Sequence, residues 1–147
     1  MKISTKGRYA LRTMIDLAEQ EQLPDAAAYI PLKEIAQRQG IEVKYLEQIV
    51  ALLKKDGLIQ GVRGSNGGYR LVRPPQEYTV REILEVTEGS LAPIACLDTP
   101  VNLCARKDEC KTLGFWEQFA DYINAFLERW TLQDFLDGKA QSGSEAL

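Results

Sequence analysis

Two apolar patterns of helical period, "IPLKEIAQRQG" and "IEVKYLEQIVALLKKDG", meet at a single glycine, and this junction constrains the fold more than any other feature of the chain. Pro31 suits the first turn of a helix, Leu32, Ile35 and Ala36 share one face, and Gly40 ends the segment, as glycine commonly does at a helix C-terminus. The next helix starts after only a few residues. Its stripe of Leu46, Ile49, Val50 and Leu53 faces inward, Lys54 and Lys55 suit the negative end of its dipole, and Gly57 closes it. Both short helices need a third element to bury their stripes.

That element precedes them. "STKGRYALRTMIDLAEQEQ" offers Ser4 and Thr5 as N-cap types, and Leu11, Met14, Ile15 and Ala18 recur at helical spacing, which predicts a helix over about 6–21. "LPDAAAY" reads as a loop. After the pair, Leu58 and Ile59 open a short strand and Tyr69, Leu71 and Val72 form a second, around "GVRGSNGG", whose glycines accept positive φ. Helix, short helix, turn, helix, glycine-tipped hairpin is the order of a winged helix-turn-helix. The fold class expected is therefore mainly α with a small β wing.

Beyond Pro74 and Pro75, "TVREILEVTEG" carries a capping-box pair, Thr79 and Glu82, and predicts a helix over about 79–88. "GFWEQFADYINAFLERWTLQDFL" places Phe115, Phe119, Ile123, Phe126 and Trp130 at helical spacing. So many large aromatics, with so little chain left to cover them, are covered most economically by the same helix of a second subunit. The expected organisation is a DNA-binding domain over 1–75, a cysteine loop and long dimerisation helix over 76–136, and a disordered tail over 137–147.

The net charge of −3 hides an asymmetry: residues 1–73 carry +4 and residues 74–147 carry −7. A basic half joined to an acidic one suits a nucleic-acid module with a separate regulatory or assembly module. In a winged helix the N-terminal end of the third helix meets base edges in the major groove. Gln48 can read an adenine edge, Lys44 a guanine or a phosphate, and Glu47 can accept from cytosine. Arg63 suits a narrow minor groove, and the glycines about the tip of Arg63, Gly64 and Ser65 let backbone approach phosphates. The bland alternatives are a solvated helix face and an ordinary hairpin turn. An enzyme is disfavoured: the chain has no histidine for a nucleophile–base pair and no phosphate-binding glycine loop. The opening "MKISTKGRYALRTM" lacks the apolar core of a signal peptide, and no stretch approaches the ~20 apolar residues of a membrane span, so a cytoplasmic protein without a membrane partner is expected.

All three cysteines, Cys96, Cys104 and Cys110, fall within "CLDTPVNLCARKDEC". An odd number in a reducing compartment points away from structural disulfides and toward ligands or redox sensors. Thiolates are soft donors that suit iron–sulfur clusters or zinc. Arg106, Lys107 and Lys111 favour the thiolate form, which suits a thiol switch. The order of preference is cluster, thiol switch, zinc.

The segments "MKISTKGRYALR", "YLEQIVALLKKDGLI" and "VRGSNGGYRL" resemble the signature segments of the IscR-type winged-helix regulators, a wider family with NsrR, RsrR and CymR members, over about residues 1–136. The resemblance implies a bacterial homodimeric transcription regulator that binds double-stranded DNA at a palindromic operator. It implies an iron–sulfur cluster, of the 2Fe–2S type, on Cys96, Cys104 and Cys110, with operator preference set by cluster occupancy. By the same matching Tyr45, Glu47, Gln48 and Arg63 face DNA, and Ser4, Lys6, Arg8 and Tyr9 belong to the opening segment that approaches its backbone. The cysteine spacing is C-x7-C-x5-C, where the IscR pattern has equal gaps, and Leu113 stands where that pattern has a histidine. Arg8 stands where NsrR-like members have an acidic ligand. An oxygen donor such as Asp98, Asp108 or Glu109, an acid of the partner subunit or solvent can complete the set. The alternative is a clusterless thiol-redox repressor or, as in CymR, a repressor with an enzyme as protein partner.

Overall fold

Helix α1 (Thr5–Glu21) starts where Ser4 stays extended and its hydroxyl accepts the Gly7 N–H at 3.0 Å. The computed structural model describes residues 1–142. Ala10, Met14, Leu17 and Ala18 form the buried side of α1, whereas Leu11 and Ile15 pack at its margin. Helices α2 (Leu32–Gln39) and α3 (Val43–Lys55) follow, with Gly40 between them at φ 63°. That left-handed conformation is what lets the chain turn without strain. The α3 stripe is as expected: Leu46, Ile49, Val50 and Leu53 are all buried. The third helix therefore offers its other side to solvent.

Strands β1 (Ile59–Val62) and β2 (Gly68–Leu71) pair antiparallel, Ile59 opposite Leu71 and Val62 opposite Gly68. Leu58 precedes the strand, and Val72, past the end of β2, is exposed. The segment before α2 adds an edge: Ile30 and Tyr69 exchange hydrogen bonds of 2.8 and 2.9 Å. Gly68 answers to this pairing, since a Cβ there would run into the Ile30 carbonyl. Ile30, just past the stretch read as a loop, thus adds a third backbone segment to the wing. This pairing joins residues far apart in sequence and has no local signature.

Helix α4 (Val80–Glu88) lies along α1, with Ile83 and Leu84 buried. Only half of its expected capping box forms. The Thr79 hydroxyl accepts the Glu82 N–H at 3.1 Å, but the Glu82 carboxylate pairs with Arg73 at 2.6 Å. Helix α5 (Leu113–Arg129) is shorter than the aromatic pattern suggested. Thr131 and Asp134 form a complete capping box that starts a new helix, α6 (Leu132–Leu136). The chain is pinned back where Val80 N–H donates to Trp130 O at 2.9 Å and Leu132 N–H to Tyr78 O at 3.1 Å. Leu132 is fully buried in the same core as α1, α3 and α4.

Of the tail expected to be disordered, Gly138, at φ 75°, ends the turn after α6, and α7 (Lys139–Ser142) adds one helical turn. Lys139 Nζ holds Asp134 at 2.7 Å there. Residues 143–147 lie outside the described residues. Among the described residues no helix is long and apolar enough to cross a membrane.

Candidate nucleic-acid interface and cysteine loop

The polar side of α3 is displayed because its apolar side is consumed. Lys44, Glu47 and Gln48 are exposed near the N-terminal end, and Tyr45 is half-buried. The Tyr45 ring meets Tyr9 of α1 edge-on, with centroids 5.8 Å apart. The structure thereby joins two of the predicted positions through a contact absent from the sequence pattern. The Arg12 guanidinium lies over the Tyr9 ring, 5.2 Å from its centroid. Ser4, Arg8 and Thr5 are exposed at the start of α1, where Arg8 donates to Thr5 Oγ1 at 3.0 Å; Lys6 is half-buried.

The wing tip is exposed at Arg63, Gly64 and Ser65. Gly64 sits at φ 114°, a conformation that L side chains rarely adopt, and its carbonyl accepts the Gly67 N–H at 3.0 Å. A small polar turn between the strands thus carries one cation, Arg63, with its backbone bare.

One buried acid, Asp16, lies outside every motif of the sequence. Asp16 is 1% exposed, yet it takes Arg38 Nε and a second guanidinium nitrogen at 3.0 and 2.8 Å and Gln39 Nε2 at 2.8 Å. The Asp16 hydrogen bond is the main cause holding the Arg38 pKa above its ordinary value. Arg12 in turn donates to both the side chain and the carbonyl of Gln39. These bonds lock α2 onto α1 beside the turn that aims α3. The signal was present: an acid one position from the apolar stripe of α1 needs a buried partner.

The cysteines occupy the exposed connection from α4 to α5. Cys96 is half-buried, and Cys104 and Cys110 are exposed; all three are free. Among the described residues no three His, Cys, Asp or Glu side chains come close enough together to hold a metal ion. In chemical type the donors still fit a soft metal centre, being three thiols in one solvent-reached loop. In this structure they stand apart. The Cys110 thiol is held below its ordinary pKa chiefly by the Thr112 hydroxyl, 3.5 Å from its sulfur, with Arg106 adding a smaller attraction. The hydroxyl, more than the neighbouring cations, thus favours its thiolate form.

Helix α5 has no buried residue. Its apolar side chains split between two faces. Trp116, Ala120, Ile123 and Leu127 are half-buried, while Phe115, Phe119, Tyr122 and Phe126 are exposed, Tyr122 by 76%. The expected single stripe ran through both sets. Leu127 and Trp130 pack with Val80, Leu84 and Leu91, so the half-buried set is the one turned toward α4.

The comparisons with known proteins agree with this architecture. Residues 3–138 match the family model "Rrf2: Iron-dependent Transcriptional regulator". The HTH-type transcriptional regulator IscR of Escherichia coli O1:K1 is 34% identical over 139 residues, which is 95% of this chain and 82% of that protein. Among solved structures, CymR of B. subtilis, described as its global cysteine regulator, superposes with a TM-score of 0.72 at 33% identity, covering 92% of this chain and 95% of that one. T. potens IscR superposes at 0.70 with 35% identity, covering 100% of this chain and 93% of that one. The relatives are transcription regulators and not enzymes, and with the winged helix, the wing and the match over nearly its whole length, this chain belongs to the Rrf2 family of transcriptional regulators.

Proposed function

We propose that this protein is a homodimeric transcription regulator that binds a two-fold operator and changes its operator preference with the state of an iron–sulfur cluster on Cys96, Cys104 and Cys110. The observation that carries the DNA reading is the exposed polar end of α3, with Lys44, Glu47 and Gln48 and the half-buried Tyr45 against Tyr9 of α1, together with the exposed wing tip of Arg63, Gly64 and Ser65 and the start of α1 with Ser4, Lys6 and Arg8. Base edges are read by α3, and the wing and α1 hold the phosphates. A DNA partner of this kind implies a protein of the bacterial cytoplasm.

The exposed aromatic face of α5 is the dimer contact. A row of Phe115, Phe119, Tyr122 and Phe126 left in water costs free energy that a second copy of the same row recovers. Two recognition helices held by such a dimer have a fixed spacing, which a palindromic operator matches.

The three thiolates would hold the cluster, of the 2Fe–2S type, and it would supply a centre that responds to oxidation or iron supply. The loop leaves α4 at Gly89 and enters α5 at Leu113, so gathering its thiols shifts α5 against α4. Because α4 lies along α1, that shift alters how the two α3 helices are presented. A coupling of about 1–3 kcal/mol suffices to redirect operator choice.

The test is to select DNA duplexes from a random library with metal-free protein and with anaerobically reconstituted protein. Different preferred sequences are expected from the two. Identical preferences at every salt concentration would sink cluster control and leave a constitutive DNA-binding dimer. A second reading, a thiol-redox repressor, is favoured by the exposure and lowered pKa of Cys110. It predicts that oxidant releases DNA from protein that never carried iron.

A further inference from the structure

We infer that Glu88 is a positioning residue that transmits the state of the cysteine loop to the DNA-facing start of α1. The inference rests on the proposal that α1 begins against the DNA backbone.

The first turn of α1 is capped in an unusual way. In a capping box the N-cap hydroxyl accepts the N–H three residues on, and an acid at that third position accepts the N-cap N–H. Here the N-cap is Ser4, and the third position is Gly7, which has no side chain. The missing carboxylate is supplied from α4. Glu88 Oε1 accepts the Ser4 N–H at 3.1 Å and the Ser4 hydroxyl at 2.6 Å, across 84 residues of sequence. Gly7 is part of the device, because a Cβ there would run into Glu88 Oε1 and meet Thr87 Oγ1 at 3.2 Å. No acid stands in the first turn of α1, so Glu88 is also the carboxylate that meets the positive end of its dipole. Elsewhere the chain builds the same box from local residues, Thr131 and Asp134. Dividing it between two helices makes the frame of Ser4, Lys6 and Arg8 depend on where α4 ends.

Where α4 ends is the root of the cysteine loop. Gly89 follows at φ 73°. Ser90 then accepts the Ala92 N–H at 3.1 Å and donates to Asp98 Oδ1 at 2.7 Å. Asp98 lies two residues beyond Cys96. Two hydrogen-bonded links joined by short stretches of chain therefore lead from the first cysteine to Ser4: Asp98, two residues past Cys96, accepts from Ser90, and Glu88, two residues before Ser90, accepts from Ser4. Movement of Cys96 pulls on the carboxylate that frames the α1 N-terminus.

The experiment uses the full chain, reduced and metal-free, and a duplex that the wild-type protein has selected from a random library. Operator affinity is measured for Glu88→Ala, Glu88→Gln, Asp98→Ala and the Glu88→Ala/Asp98→Ala double variant, with Lys6→Ala as a control. Glu88→Ala is expected to bind about tenfold more weakly, and Glu88→Gln, which keeps the acceptor oxygen, to stay within about twofold of wild type. Asp98→Ala is expected to weaken binding by about threefold in the wild-type background and to have no further effect once Glu88 is Ala. Additive effects would mean that the two residues act separately and would overturn the inference. So would unchanged or tighter binding by Glu88→Ala. The glutamine variant guards against misfolding, because it preserves the packing of α4 on α1. If Lys6→Ala also leaves affinity unchanged, the placement of α1 on DNA is what has failed. If Lys6→Ala weakens binding and Glu88→Ala does not, the coupling alone has failed.

Discussion

The Tyr78 hydroxyl donates to the Leu58 carbonyl at 2.6 Å in the buried core, twenty residues back along the chain. The same oxygen accepts the N–H groups of Val72 and Arg73 at 2.9 and 3.1 Å. One phenol thus satisfies the backbone entering β1, the backbone leaving β2 and its own polar group. Tyr78→Phe removes all three bonds while keeping the ring. It is expected to cost about 1–3 kcal/mol of stability, because the buried Leu58 carbonyl and two part-buried N–H groups lose their partner. Urea unfolding monitored by circular dichroism checks this, and an unchanged midpoint would show that water replaces the hydroxyl.

Asp16 is the second such anchor. Asp16→Ala leaves Gln39 Nε2 without this acceptor and leaves Arg38, whose side chain reaches water, with its longer contact to Glu34 at 3.7 Å. A loss of about 1–3 kcal/mol is expected, discounted for the solvent access of Arg38. Since α2 then loosens beside the turn, operator binding should fall more than binding to random duplex. Anisotropy titrations with both duplexes measure the ratio, and an equal loss on both would assign Asp16 to stability alone.

Arg63 is the cation of the wing tip. Arg63→Ala should weaken operator binding by roughly 1–3 kcal/mol if it enters a groove, and should lower the salt slope by about one if it meets a phosphate. Titrations at several salt concentrations separate these cases. No change in either quantity would take the wing off the DNA.

Phe119 stands in the exposed row of α5. Phe119→Asp puts a desolvated charge into the proposed dimer contact, at a cost of several kcal/mol in a buried setting. Sedimentation velocity should then show a monomer, folded by circular dichroism. A persistent dimer would move the interface elsewhere.

Cys110 should be the most readily alkylated of the three thiols at neutral pH in metal-free protein, because the Thr112 hydroxyl favours its thiolate. Thr112→Val should slow that reaction without altering Cys104. Mass spectrometry of timed iodoacetamide digests resolves the sites.

Much of the candidate DNA interface was legible from local pattern. Leu46, Ile49, Val50 and Leu53 recur at 3.6-residue spacing, so the opposite face of α3 had to carry Lys44, Glu47 and Gln48 outward. Gly40 and Gly64 marked the two turns because only a residue without a Cβ takes their positive φ at little cost. The cysteine loop was visible in the same way, as three thiols of one chemical type within a short irregular stretch.

What the sequence by itself determined is each element whose cause lies within a few residues: the helix-turn-helix, the wing hairpin, the Thr79 half of the α4 cap and the solvent-facing polar positions of α3. Only the tertiary structure decided which separate segments share bonds. Ile30 joins the wing through Tyr69, Asp16 locks Arg38 and Gln39, α5 divides its aromatics between α4 and solvent, and Glu88 completes the cap of Ser4. For α5 the cause is which face α4 covers; for the other three one physical reason holds. Periodicity reports how often a side chain meets an apolar face, and it carries no record of which distant donor waits opposite a given acceptor. Those partners are set only when packing of the apolar stripes has brought the helices together.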